Sequence, residues 1–167
     1  MTTQRPPVLA PLVGLVVACG AWRGLAGLLA PAAADGAQRM ALACVALLPS
    51  AGLLLAMIAV QMLVRAATGA IDPVAGRDGR FLLTNQRVIS NSVEQLAAFV
   101  PGLLALAAGV RTGQMGQVVA LALVFALARL AFWVGYLGGP RLRAPGMAAT
   151  MAVNVVTLVA AARVWLA

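Results

Sequence analysis

The sequence contains no histidine and no lysine. Without an imidazole there is no histidine general base, and a zinc site loses its commonest nitrogen ligand. No metal site is expected. Cysteine is scarce too: Cys19 and Cys44 are the two present, each inside an apolar run. They form neither a disulfide framework nor a metal cluster pattern and read as small apolar side chains. Charged residues make up only 10% of the chain. Glu94 is its one glutamate and lies deep inside a hydrophobic segment. A single buried acid is a poor basis for small-ion transport.

What is present in quantity is apolar surface. The 167 residues are 63% hydrophobic, and the mean hydropathy is +0.99. Such a chain is a polytopic membrane protein and not a soluble domain. The net charge of +8 comes from 12 arginines. In a soluble chain a pI of 11.7 would point to nucleic acid. Here the arginines stand mostly at the ends of apolar segments. They read as topology signals and contacts with lipid headgroups, with no nucleic-acid partner.

Taken in order, the chain offers five hydrophobic segments. The first runs from Val8 towards Leu29 behind Arg5, with Arg23 interrupting it. Small residues at Ala32, Ala33 and Ala34 give it the look of a cleavable signal peptide, and Val16-Val17-Ala18-Cys19 loosely fits a lipoprotein cleavage pattern. Its apolar length, near the about 20 residues that a span requires, instead favours a retained extra helix. Residues 1–39 are therefore set apart as an N-terminal helix and linker, with Pro31 to Gln38 as the connection. Met40 to Leu63 is the clearest span, closed by Arg65. Residues 66–80 form the longest polar connection. A polar-striped helix follows over 81–110, and Pro101 should kink it. A tight turn at 111–113 leads to a span over 116–137, then a basic loop over 138–145 and a last span over 146–165. Placing the N-terminus in the cytoplasm puts Arg5, Arg65, Arg77, Arg80, Arg141 and Arg143 inside, against Arg39, Arg111 and Arg163 outside. A multi-pass protein of a bacterial inner membrane is expected.

The polar-striped helix carries the chemistry. Arg87, Asn91 and Glu94 are spaced i, i+4, i+7 and share one helix face. A charge at membrane depth costs roughly 2.5–3.5 kcal/mol on insertion scales, so these groups should face a bundle interior or a wet cavity. The expected partner of Glu94 is Arg129 in the next span, with Tyr136 on the same face as Arg129. At a rise of ~1.5 Å per residue, Asn91 lies ~15 Å, Glu94 ~20 Å and Arg129 ~13 Å from the inner ends of their helices. Arg87 and Tyr136 lie nearer the cytoplasm, below Arg143 in the loop. The stripe reads either as a structural ion pair that fixes register or as a polar site under a cationic mouth, suited to an anionic ligand.

This set of residues resembles the MAPEG family, the membrane-associated proteins of eicosanoid and glutathione metabolism. The match rests on Arg87-x-x-x-Asn91-x-x-Glu94, on Arg129 to Tyr136, and on Arg143, and it covers roughly residues 40–167. The resemblance implies an all-α fold: a membrane four-helix bundle, here preceded by an extra N-terminal transmembrane helix. It also implies a homotrimer with glutathione as co-substrate between neighbouring protomers near the cytoplasmic face. By the same resemblance Arg87, Asn91, Glu94, Arg129 and Tyr136 are placed as ligand-binding residues. Arg143 matches the catalytic arginine that stabilises the glutathione thiolate in leukotriene-synthase-like members. The sequence departs from the pattern at Thr84, Gln95, Phe132 and Pro101, where relatives carry an arginine, a tyrosine, an aromatic hydroxyl and an earlier proline. Two functions follow. One is a glutathione-dependent transferase or peroxidase acting on lipophilic electrophiles. The other is a non-catalytic member that binds a lipid or a partner membrane protein in the same cleft.

Overall fold

The structure is a computed structural model and describes residues 9–29, 31, 33, 35–139 and 142–166. Arg5, Val8, Ala32, Ala34 and Arg141, which enter the sequence reading, lie outside the described residues. Among the described residues there are five α-helices and no strand: α1 (Leu9–Leu28), α2 (Gly36–Thr68), α3 (Arg80–Gly109), α4 (Met115–Gly138) and α5 (Ala144–Leu166). All five are long and apolar enough to cross a membrane. The protein is an integral, multi-pass helical bundle.

Local chemistry sets the helix ends. The α2 helix begins at Gly36, earlier than the expected Met40, because the Asp35 side chain accepts the Gln38 backbone N–H at 2.8 Å and acts as its N-cap. At the other end it runs past Arg65 to Thr68, where Gly69 (φ +70°) supplies the left-handed cap. The polar connection therefore shrinks to residues 69–79. Arg65 holds it by donating to both carboxylate oxygens of Asp78, at 2.8 and 2.6 Å, and to the Ala70 carbonyl at 3.0 Å. This is the one ion pair among the described residues. The α3 helix continues without a break across Pro101, and the Pro101 ring is exposed.

The helices interlock through small side chains and a few polar ties, as expected where lipid supplies no hydrophobic drive between them. Phe99 and Phe125 stack face to face, 4.0 Å between centroids, at the centre of the larger core cluster. Arg39, at the start of α2, donates to the carbonyls of Ala107 and Ala108 at 3.3 Å each. It thereby caps the C-terminal end of α3, where carbonyls lack helical partners and the helix dipole favours a cation. Trp165 donates to the Ala105 carbonyl at 3.0 Å, which ties α5 to the same end. Near the start of α3 the buried Asn85 amide joins three helices. It donates to the Met57 carbonyl and to Gln61, at 3.1 and 3.0 Å, and it accepts from the Trp133 indole at 2.7 Å. The Gln61 amide in turn donates to the Leu82 carbonyl at 3.2 Å.

The α1 helix lies along α4 and α5 and is continuous through Arg23, which is exposed and sits 5.8 Å from the Trp22 ring. At Gly116 of α4 a Cβ would collide with the Leu29 carbonyl at the end of α1.

Candidate functional site

The outward face of α3 bears the sequence-predicted stripe. Asn85, Val88 and Ser92 point into the bundle and are buried, whereas Arg87, Ser90 and Glu94 are exposed and Asn91 is half-buried. The reason is angular. At about 100° per residue, Glu94 stands roughly 200° round the helix from Ser92, on the opposite side. The direct Glu94–Arg129 pair is therefore not formed within this chain. Arg129 is 2% exposed and donates instead to Ser92 Oγ at 2.6 Å and to Asn91 Oδ1 at 3.1 Å. Ser92 in turn donates its hydroxyl to the Val88 carbonyl at 2.7 Å. Asn91 then turns its amide N–H towards Glu94 Oε2 at 3.5 Å. The two opposite charges are connected through one asparagine rather than in contact, and this fixes the orientation of the Asn91 amide.

A ladder of cations and rings climbs α4 from this point. The Arg129 guanidinium lies 4.3 Å from the Phe132 ring centroid. Phe132 meets Tyr136 edge to face at 5.4 Å. The Arg143 guanidinium covers the Tyr136 ring at 4.8 Å. Such contacts draw the positive charge to the ring face. Arg143 reaches this place because the turn before α5 lies directly on Gly135. A Cβ at Gly135 would collide with the Leu142 carbonyl and stand 3.1 Å from the Arg143 Cα. Phe132, read from sequence only as a lost hydroxyl, is thus the rung that joins the buried arginine to the outer one.

Arg87, Asn91, Tyr136 and Arg143 converge on one cavity of about 490 Å³, floored by Phe132, Met147 and Ala148. The size falls within the usual range for small-ligand sites, roughly 300–1,000 Å³. Above it a wider recess of about 970 Å³ includes Arg80 and Thr84 and shares Arg87, Tyr136 and Arg143. Arg87 has no hydrogen-bond or ion-pair partner among the described residues. Of the predicted set, Glu94 and Arg129 do not line the cavity: Glu94 stands beside Asn91 on the outer face, and Arg129 supports Asn91 and Phe132 from behind. Gln95 is drawn away as well, since its amide oxygen accepts from Asn154 at 2.6 Å and ties α3 to α5. Sequence reasoning passed over Ser92, Met147 and Pro11, which also lines the cavity. Asn85 and Ser92 stand seven apart, and that spacing is a legible second polar stripe on the core side of α3.

Fold and site together define a multi-pass helical membrane protein with an arginine-rich recess over an apolar floor. The chain belongs to the MAPEG family, whose model matches residues 40–163, from the first turns of α2 to the last turn of α5. No curated protein matches the chain.

Proposed function

We propose that the protein is a glutathione-dependent transferase or peroxidase acting on lipophilic electrophiles, working as a homotrimer in a bacterial inner membrane with its site mouth in the cytoplasm. The observation that carries the reading is the meeting of Arg87, Asn91, Tyr136 and Arg143 on one cavity of ligand size. Glutathione is polar and anionic, so it enters where the two cations are. Arg87, lacking an internal partner, is available to pair with a carboxylate. Asn91, oriented by Arg129, offers a fixed amide, and Tyr136 offers its hydroxyl.

A free thiol has a pKa near ~8.5, and a neighbouring guanidinium stabilises the thiolate. Arg143 is the cation at the cavity wall that fills this role. The thiolate sulfur then forms a bond to the electrophilic carbon of the substrate, and the electron pair of the broken bond leaves with the departing or ring-opened atom. The apolar floor of Phe132, Met147 and Ala148 receives the lipophilic part.

The exposed face of α3 supports the trimer. Arg87, Ser90 and Glu94 would meet lipid in an isolated chain, and a charge held there is expensive. A second copy laid over this stripe removes the exposure and brings Glu94 and its neighbours to a shared site. Titration of the purified protein with glutathione tests the activity, with thiolate absorbance in the far ultraviolet as the readout. Absence of binding rejects it in favour of a non-catalytic member that holds a lipid or a partner membrane protein. That second reading draws on Gln95 and Phe132, whose side chains are committed to internal contacts.

A further inference from the structure

The α1 helix precedes the segment matched by the family model. It nevertheless reaches the candidate site: Pro11, in its first turn, lines the same cavity as Arg87, Tyr136, Arg143 and Met147. This placement is held at close range. A Cβ at Gly14 would collide with the Pro145 carbonyl, so α1 and the start of α5 touch backbone to backbone. Gly14 is one turn from Pro11, and Pro145 is two residues from Arg143. The contact therefore fixes Pro11 relative to the arginine at the cavity wall. The second close approach, of the Leu29 carbonyl on Gly116, holds the other end of α1.

We propose that α1 is an additional wall of the site and that Pro11 sets the size of the lipophilic group admitted beside Arg143. The inference rests on the reading of this cavity as the place where the lipophilic part of the substrate lies. The ligand it fits is a single-chain amphiphile with an anionic head. In the absence of glutathione the head pairs with Arg87 and Arg143, and the chain lies over Phe132 and Met147 against Pro11. Proline suits this position physically. In the first turn its missing N–H removes no helical hydrogen bond, and its rigid ring presents apolar surface without rotamer freedom.

The experiment uses the full chain in phosphatidylcholine nanodiscs, with Cys19→Ala and Cys44→Ala as background. Pro11→Cys and Leu12→Cys are each labelled with a small maleimide, with and without dodecyl phosphate. Leu12 is 49% exposed and does not line the cavity. Dodecyl phosphate should slow labelling at Pro11→Cys several-fold and leave Leu12→Cys unchanged; equal protection at both, or at neither, overturns the proposal. A second variant reads size. Pro11→Trp should weaken dodecyl phosphate about tenfold, ~1.4 kcal/mol, while butyl phosphate binds as in wild type. A parallel loss of both phosphates, or no loss, overturns it, as does purified protein whose N-terminal sequence starts beyond α1. Glutathione titration of the same wild-type sample is independent of these outcomes: its failure rejects the transferase reading alone.

Discussion

Arg39 and Arg87, at opposite ends of the bundle, are used in opposite ways. At the end where α2 starts and α3 stops, Arg39 is consumed in holding the Ala107 and Ala108 carbonyls, and the Trp165 indole closes on Ala105. At the other end Arg87 has no internal partner, and Arg143 rests on an aromatic face above a cavity of about 490 Å³. Both ends carry the same residue type at the rim of an apolar core. The difference lies in what each guanidinium finds within reach. A helix C-terminus supplies bare carbonyls, whereas the space between α3, α4 and the start of α5 supplies a cavity. Cations that the fold does not itself satisfy are the ones left for a ligand.

Asn85, in the bundle interior near the site end, offers the largest effect. Asn85→Ala strands the Gln61 side-chain oxygen and the Trp133 indole N–H, and at about 1–3 kcal/mol for each unsatisfied group it should lower bundle stability by several kcal/mol. Thermal unfolding in detergent measures it; a loss below about 1 kcal/mol would mean water replaces the amide. Arg39→Ala should cost about 1–2 kcal/mol through the uncapped end of α3 while glutathione binding stays at the wild-type level. If Arg39→Ala weakened binding instead, the division of labour between the ends would collapse.

Arg87→Ala should reverse the pattern. Its melting curve should stay within about 0.5 kcal/mol of wild type, as for surface substitutions. Its glutathione affinity should drop roughly tenfold or more, in line with the ~1.5–3 kcal/mol of a hydrogen bond to a charged group. Arg143→Met should change least by stability and affinity. Its signature is loss of the thiolate signal with binding retained, and an unchanged signal would remove Arg143 from the chemistry. Glu94→Gln sharpens the picture of α3: the single chain has no direct ion pair to lose at Glu94, so its effect should be a smaller share of the proposed trimer, measured by native mass spectrometry.

The sequence alone determined the membrane class, the five apolar segments and the side chains at the cavity mouth. Apolar length and the i, i+4, i+7 spacing of Arg87, Asn91 and Glu94 are local properties, and a helix face follows from its period alone. Depth arithmetic also placed Arg129 level with Asn91, which it contacts. The partner of Arg129 was beyond the sequence. Axial depth says how far along a helix a group lies, and it does not say which way the helix is turned. Only packing against α2 and α4 decided that Asn85 and Ser92 face inward and Glu94 outward, so that Arg129 met Ser92 and Asn91. The position of α1 was tertiary for the same reason. Nothing in Pro11 or Gly14 names a partner until the Pro145 carbonyl arrives against the glycine and closes the cavity from a part of the chain far from Arg143 in sequence.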